Sequence, residues 1–153
     1  MNGHIFQINI SRGGVPKLPV REALLTRLGL EGDRQAHPKF HGGPERALCL
    51  YALERIIELQ GEGHPIYPGS IGENITLIGL DWGKLSPGAR LGFGDEAIVE
   101  ISSYTVPCRT ISASFVGGKF GRISQKLHAG DARLYARVLQ TGRLSIGQTV
   151  RLL

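Results

Sequence analysis

The sequence has too little of several features to belong to a secreted, membrane-spanning or disordered class. Its two cysteines, Cys49 and Cys108, are too few for a disulfide scaffold. No apolar run approaches the roughly 20 residues of a membrane helix, and the start lacks the basic and apolar regions of a signal peptide. We therefore expect a cytoplasmic protein in which at least one thiol is free.

Length and composition limit the organisation of the chain. The 153 residues match the usual length of one domain, and neither a repeat nor a polar linker divides them. We therefore expect one domain over residues 1–153. Hydrophobic residues make up 41%, which is enough for a core, and the 22 glycines and 8 prolines predict many turns between short strands.

Most periodic segments alternate between apolar and polar residues, as half-buried strands do. This alternation places Phe6, Ile8 and Ile10 on one face of an N-terminal strand. A hairpin is predicted across Gly94-Asp95, and residues 52–60 have the apolar spacing of a helix. The predicted architecture is mainly β, a barrel with one or two short helices.

The formal net charge of +5 suits an anionic partner, such as nucleic acid, an acidic protein or a phosphate-bearing small molecule. One hypothesis is a basic β-barrel module that binds single-stranded RNA. Its candidate residues for stacking on bases are Phe40, Tyr51, Tyr104 and Phe115. Against it, aromatic residues make up only 7%, and no basic run is interleaved with them.

A polar, glycine-rich loop over residues 32–46 separates two apolar segments. Its paired glycines, Gly42 and Gly43, let backbone N–H groups approach an anion closely. Arg34 and Arg46 can donate charge-assisted hydrogen bonds to phosphate or carboxylate oxygens. The alternative is an ordinary turn with a solvated basic rim.

Two further segments carry residues with useful chemistry. The turn PGSIGEN brings a carboxylate, Glu73, and an amide, Asn74, to the start of a strand. In VPCRT, Cys108 follows a proline that fixes the local backbone and precedes Arg109, whose charge favours the thiolate. A thiolate attacks sulfur or ligates metal. A buried, inert thiol is the alternative for Cys108, and it is the favoured interpretation of Cys49, which has apolar neighbours on both sides.

The sequence lacks the motifs of several enzyme classes. No Cys-x-x-Cys pair or helical His-x-x-x-His spacing accompanies His37, His41 and His64, which disfavours a zinc site. No Gly-x-Ser-x-Gly, Gly-x-Gly-x-x-Gly or Walker loop is present. Serine hydrolysis and nucleotide chemistry of those kinds are therefore disfavoured.

Taken in order, the segments SRGGVPKLPV, GLEGDRQAHPKFHGGPERALCLY, PGSIGENIT and VPCRT resemble the MOSC domain, the module named for the C-terminal part of molybdenum cofactor sulfurases. The resemblance is to the small stand-alone bacterial type and extends over nearly the whole chain. It implies a β-barrel fold that binds the molybdenum cofactor (molybdopterin). It also implies a key cysteine, here Cys108, that either carries sulfur as a persulfide or ligates molybdenum.

The resemblance also indicates further site residues. Those at characteristic positions are Asp33, His41, Gly42, Gly43, Glu73 and Asn74. For the anionic phosphate and dithiolene of the cofactor, electrostatics adds Arg34, Arg46 and Arg109. All of these are predicted to contribute to cofactor binding, with Cys108 as the catalytic residue and metal ligand.

The activity implied is that of a molybdenum-cofactor-dependent sulfurtransferase or oxidoreductase, in sulfur transfer or in reduction of N-hydroxylated compounds. Larger family members join this module to a pyridoxal-phosphate cysteine desulfurase domain or an iron–sulfur domain, for which 153 residues leave no room. We therefore expect a separate desulfurase or iron–sulfur electron donor as partner, together with a small-molecule substrate. No membrane partner is expected, and nucleic acid is disfavoured. Gln148 stands where relatives often have an acidic residue.

Overall fold

The computed structural model describes residues 2–34 and 42–153 and is built mainly from β-strands. The strands in these ranges are β1 (Asn2–Ile10), β2 (Leu18–Val20), β3 (Glu22–Thr26), β4 (Gly29–Leu30), β5 (Leu48–Ala52), β6 (Ile75–Ile78), β7 (Arg90–Phe93), β8 (Ala97–Tyr104), β9 (Leu134–Gln140), β10 (Gly142–Ser145) and β11 (Thr149–Leu152). The helices there are the α-helix α1 (Leu53–Gly61) and the 3₁₀ helices Pro44–Arg46, Trp82–Lys84, Arg109–Ser114, Val116–Gly118 and Phe120–Ile123.

Seven of the described strands close into a barrel. Hydrogen bonds join them in the order β11-β7-β8-β9-β5-β6-β1, and β1 also pairs with β11, which completes the ring. The β5–β6 pair is parallel, and its crossover connection contains α1. β2 extends the sheet beside β1, while β10, β3 and β4 form a separate three-stranded sheet. The predicted mainly β barrel is thus confirmed.

The hydrophobic core fills the barrel and continues under α1. β5 is buried along its whole length, and Ile56 and Leu59 of α1 pack into the same cluster. Removing one such side chain from water contributes about 1.5–3 kcal/mol. The helix predicted for residues 52–60 is therefore confirmed, with its apolar stripe facing the core. None of the helices in the described ranges is both long and apolar enough to cross a membrane.

The predicted inner face of β1 is wrong at one position. Ile5 is buried whereas Phe6 is 42% exposed. The pairing of β1 with β6 shifts register between Ile5 and Gln7, and a β-bulge of this kind moves the side chains that follow it to the opposite face. Ile8 is buried as predicted. The hairpin across Gly94-Asp95 is confirmed, with Phe93 opposite Ala97.

Three connecting segments meet beside one another and frame the site. They are the loop after β1, the loop that precedes β6 and the 3₁₀ helix Arg109–Ser114. The Lys17 N–H donates to the Gly69 carbonyl at 2.8 Å, which joins the first two. The Ser114 hydroxyl lies 3.5 Å from the Ser70 carbonyl oxygen, which brings the third segment to the second.

Candidate functional site

Asp33 is the centre of a buried polar network. Its Oδ1 accepts hydrogen bonds from the Ser11 N–H at 2.9 Å and from Lys17 Nζ at 2.7 Å. Its Oδ2 accepts one from Asn74 Nδ2 at 2.9 Å. The side chains of Lys17 and Asp33 are each 5% exposed, so the ion pair is largely removed from water. Loss of either partner would leave a buried charge uncompensated.

Asn74 connects this network to β5. Its Oδ1 accepts a hydrogen bond from the Cys49 N–H at 2.9 Å, and its own N–H donates to the Cys49 carbonyl at 2.7 Å. The Asn74 side chain is fully buried, and its Nδ2 also lies within 3.4 Å of the Asn9 carbonyl. These bonds are all to protein atoms, so contact of Asn74 with a cofactor stays a prediction.

Glu73 is also fully buried, but its carboxyl has fewer partners. Oε2 accepts a hydrogen bond from the Thr76 hydroxyl at 2.9 Å, whereas Oε1 has no hydrogen-bond partner in the described part of the chain. Burial raises the pKa of the Glu73 carboxyl, and the Gly69 backbone N–H, the Thr76 hydroxyl and the charge of Arg133 only partly oppose that rise. Folding therefore favours the neutral form of this carboxyl relative to the unfolded chain.

Arg133 is a buried cation in the same region. Its side chain is 6% exposed, and Nη1 donates to the Ile71 carbonyl at 2.7 Å. Nε has no hydrogen-bond partner among residues 2–34 and 42–153, and none of the ion pairs in those ranges includes this guanidinium. A buried charge is costly unless an opposite charge or full hydrogen bonding compensates it. The site therefore contains a buried guanidinium with an unpartnered Nε and no ion pair among the described residues.

The Tyr135 hydroxyl lies within electrostatic range of Arg133 and of both thiols. The Arg46 guanidinium stands 5.6 Å from the centroid of the Tyr135 ring, within the range of a cation–π contact. Burial raises the pKa of the Tyr135 hydroxyl, and Cys49 and Cys108 act in the same direction. Arg133 and Arg46 act against it. One tyrosine thus lies within electrostatic range of both cysteines and both arginines.

The two cysteines have different surroundings. Cys49 is 5% exposed, its sulfur lies 3.8 Å from the Thr105 hydroxyl, and burial raises its pKa. The prediction that Cys49 is buried in the core is confirmed. Cys108 is also free but only half-buried, and its carbonyl accepts the Ile111 N–H at 3.2 Å at the start of a 3₁₀ helix. Of the two thiols, Cys108 is the one open to a ligand.

The glycine-rich loop is described only in part. His41 lies outside the described residues, so its predicted role is untested. Gly43 has a φ of 92°, a conformation that favours glycine, and directly precedes the helix that carries Arg46 to the Tyr135 ring. Gly42 is half-buried. The other two predicted cations, both exposed, are Arg34 and Arg109.

Three residues of this site were not predicted from the sequence. Lys17 lies between Pro16 and Pro19, Arg133 directly precedes β9, and Tyr135 is the second residue of that strand. The sequence does contain one indication of such residues, which is a basic residue within or next to an apolar segment. It occurs at Lys17 and again at Arg133. Such a residue implies a buried partner, but the sequence does not say which one.

The structure weakens the hypothesis of RNA binding. Tyr51 is fully buried and Phe115 is 3% exposed, so neither can stack on a base. Tyr104 is half-buried, and Phe40 lies outside the described residues.

In the part of the chain that the structure describes, no three histidine, cysteine, aspartate or glutamate side chains converge as a metal site would require.

Comparison with known proteins gives a family match. A family model described as the MOSC domain matches residues 37–151. The chain is 33% identical over 142 residues to YflK of Bacillus subtilis, an uncharacterized protein, covering 92% of this chain and 63% of YflK. It is 30% identical over 130 residues to a Gibberella moniliformis protein named reductase, covering 82% of this chain and 22% of that protein. The chain thus spans less than two thirds of these relatives.

The fold also has a counterpart among solved structures. The crystal structure of YiiM from Geobacillus stearothermophilus superposes with a TM-score of 0.76 at 24% sequence identity. The superposition covers 99% of this chain and 75% of that one. At this identity the likeness concerns the fold.

Proposed function

The chain belongs to the MOSC domain family, and on that premise we propose that it binds the molybdenum cofactor next to Cys108 and reduces a small oxidised substrate, such as an N-hydroxylated compound. One observation carries the proposal. A half-buried free thiol lies near a tyrosine that also has two guanidinium groups close to it, one of them buried with an unpartnered Nε.

The residues present fit such a group. The cofactor is anionic, because its pterin carries a phosphate and its metal is held by dithiolene sulfur. Arg133 supplies a buried guanidinium that forms none of the ion pairs in the described ranges, and Arg46 adds a second guanidinium at the Tyr135 ring. A thiolate from Cys108 is a soft ligand, which suits a metal–sulfur centre. Arg46, Arg133 and Cys108 would therefore hold the cofactor, with the loop at Gly42 and Gly43 beside its phosphate.

The bound cofactor would supply two-electron redox chemistry. The residues of the chain would orient it and control protons. Because burial raises the pKa of Tyr135, its hydroxyl keeps its proton at neutral pH and serves as a hydrogen-bond donor. The ion pair of Lys17 with Asp33 fixes the start of the glycine-rich loop. Cys49 lies on the buried side, where its raised pKa keeps the thiol neutral.

Reduction is favoured over sulfur transfer for two reasons. A relative bears the name reductase. In addition, Cys108 is half-buried, whereas a sulfur carrier must present its thiol to the active site of a second protein. Electrons would come from a separate iron–sulfur protein, and we propose that such a donor is the partner.

The test is the molybdenum and pterin content of the protein purified anaerobically from a host that makes the cofactor. Wild-type protein is expected to contain both in near-stoichiometric amount. Cys108→Ala is expected to lose molybdenum, while Cys49→Ala, the matched control, retains it. Circular dichroism checks that both variants fold.

Other outcomes would contradict parts of the proposal. Pterin and metal retained equally by Cys108→Ala would indicate sulfur carriage in place of metal ligation. Absence of pterin from every variant, wild type included, would overturn cofactor binding. Salt-sensitive binding of RNA that ignores Cys108 would then become the leading hypothesis.

A further inference from the structure

A row of alternating charges crosses three strands of the barrel. Arg90 of β7, Glu100 of β8 and Arg137 of β9 are direct cross-strand neighbours. Glu100 Oε2 accepts a hydrogen bond from Arg90 Nε at 2.8 Å, and its Oε1 accepts one from Arg137 Nη2. The Glu100 side chain is only 9% exposed, so this carboxylate is fixed between two guanidinium groups. Arg137 is thereby held in one orientation on the wall of the barrel.

The row ends on the 3₁₀ helix Pro44–Arg46, at the end of the glycine-rich loop. Arg137 Nη1 donates to Glu45 Oε2 at 3.2 Å, and the Ser102 hydroxyl donates to the Glu45 carbonyl oxygen. Ser102 is the residue at which the pairing of β8 with β9 shifts register, and a β-bulge of this kind turns a side chain in a new direction. Glu45 is therefore attached to the barrel through both its side chain and its main chain.

The next residue, Arg46, contacts the same strand of the barrel. Its guanidinium lies 5.6 Å from the centroid of the Tyr135 ring. Tyr135 and Arg137 are two residues apart on β9, so they share one face of the strand and lie about 7 Å apart. The opposite face of β9 packs into the core with Leu134, Ala136 and Val138. Two consecutive residues of the 3₁₀ helix thus rest on two residues of the outer face of β9.

The contact of Arg46 with Tyr135 is too weak to fix the arginine by itself. Arg46 is exposed, and a cation–π contact at an exposed site contributes little. A Cβ at Gly43, directly before the helix, would meet no atom of the described residues within 4 Å, so the loop is not crowded at this end. The attachment of Glu45 to Arg137 and Ser102 therefore sets the direction in which the Arg46 side chain leaves the backbone.

We propose that Arg137 is a positioning residue for Arg46. Through Glu45 it holds the 3₁₀ helix so that the Arg46 guanidinium lies over Tyr135 before an anionic ligand binds. Such preorganisation lowers the conformational entropy that is lost on binding. The identity of the ligand as the cofactor rests on the proposed function, whereas the position of Arg46 can be measured on the full chain without cofactor.

The first experiment follows the Nε–Hε signal of Arg46 in nuclear magnetic resonance spectra. The ring current of Tyr135 shifts this signal relative to the urea-unfolded chain, and Arg46→Lys identifies the signal by removing it. Glu45→Ala and Arg137→Met are expected to reduce the shift by at least about half, because Arg46 then samples several rotamers. Glu45→Gln keeps an oxygen that can accept from Arg137 and should preserve most of the shift.

Glu22→Ala is the matched control. Glu22 forms an ion pair with Arg143 at 3.1 Å in the three-stranded sheet, and its side chain is 58% exposed, close to the 67% of Glu45. This variant also removes one exposed carboxylate but should leave the Arg46 signal unchanged. Neither Glu22→Ala nor Glu45→Ala should change the midpoint of urea unfolding much, since exposed ion pairs contribute little to stability. A changed Arg46 signal at unchanged stability therefore indicates positioning.

The second experiment measures the pterin content of protein purified from a host that makes the cofactor. Glu45→Ala is expected to retain about three- to tenfold less pterin than the wild type, because Arg46 must then be ordered on binding. Arg46→Ala should lose at least as much. The double variant should retain as much as Arg46→Ala, because Glu45 acts through Arg46.

An Arg46 signal that neither Glu45→Ala nor Arg137→Met changes would overturn the inference. A double variant that retains several-fold less pterin than Arg46→Ala would also overturn it, since Glu45 would then act on the cofactor directly. Unchanged pterin content in Glu45→Ala, despite a changed Arg46 signal, would refute the effect on binding. If the wild type itself never contains pterin, the proposed function fails, and the Arg46 signal still decides whether Arg137 positions Arg46.

Discussion

Two buried carboxylates in this site have different sets of partners. Asp33 accepts hydrogen bonds from three donors and forms an ion pair with Lys17. Glu73 accepts one from Thr76, and its Oε1 lacks a partner within the described ranges. A buried carboxylate with few donors is more stable when protonated. The two acids therefore contribute to the fold in different ways, because Asp33 is held by an ion pair and three donors whereas burial of Glu73 favours its protonated form relative to the unfolded chain.

Glu73→Gln is expected to stabilise the protein at neutral pH and to have little effect near pH 4. Because the pKa of Glu73 is raised in the folded state, folded protein binds this proton more tightly than the unfolded chain does. The stability of the wild type therefore falls as pH rises from the ordinary value of 4.5 through the raised pKa. Glutamine is neutral at every pH and can still accept the Thr76 bond.

Urea unfolding between about pH 4 and pH 8 measures this difference. Glu58→Gln is the matched control, because the Glu58 side chain is 56% exposed, and its stability should follow that of the wild type throughout. A constant difference between Glu73→Gln and wild type across the range would show that Glu73 does not titrate as described.

At the scale of elements, contacts between loops contribute to the fold in addition to the pairing of strands. Gly69, in the loop before β6, has a φ of 89°, and a Cβ at this position would overlap the Lys17 carbonyl oxygen. The backbones of two loops are therefore in direct contact at a residue that must be glycine. This contact joins the loop after β1 to the loop before β6 and places Lys17 where Asp33 binds it.

Gly69→Ala is expected to destabilise the protein by at least about 2 kcal/mol. Gly147→Ala is the matched control. Gly147 has a φ of 84°, but a Cβ there would have no atom within 4 Å, so only the left-handed conformation is penalised, at about 1 kcal/mol. Chemical denaturation of both variants gives the comparison. Equal losses would mean that the two loops can separate at no cost.

The strands could be predicted from the sequence because a period of two reflects one buried face. β7 and β8 and their hairpin follow from it. The bulge in β1 could not be predicted, because it depends on pairing with β6, which is remote in sequence. Arg133 was missed for a similar reason. Whether a basic side chain is buried depends on partners such as the Ile71 carbonyl, which only the fold brings near.

The candidate site was predicted in part. The motifs located Cys108, and the structure leaves this thiol half-buried and free. The same motifs located Glu73 and Asn74, which are fully buried beneath the loops. Sequence spacing does not show how deeply a side chain is buried. Residues that support a pocket from beneath therefore cannot be distinguished by sequence from residues that line it.

At the scale of the whole molecule, the main structural feature is the closure of the barrel by the pairing of β1 with β11. Gly3 pairs with Val150, and Val150 in turn pairs with Phe93 of β7. The Val150 side chain is fully buried at this seam. Closure leaves no open edge between the first and last strands of the ring.

Val150→Asp is expected to destabilise the protein by at least about 3 kcal/mol, because it places a carboxylate in the core and removes apolar contacts. Leu152→Asp, on the same strand, changes a side chain that is 50% exposed and should cost far less. Thermal unfolding followed by circular dichroism measures both. Similar unfolding temperatures for the two variants would contradict a role for the seam in stability.

The seam between β1 and β11 also has a consequence for the order of events in folding. β1 can pair with β2 as soon as residue 20 has been synthesised and with β6 once about half of the chain is made, but the Asn2–His4 part of its edge finds a partner only when β11 is present. Until then β1 carries unpaired N–H and C=O groups, to which a strand of another molecule can add. Because the seam joins distant parts of the sequence, its formation is slow compared with the local hairpin of β7 and β8. Aggregation during synthesis is therefore expected to begin at the free edge of β1.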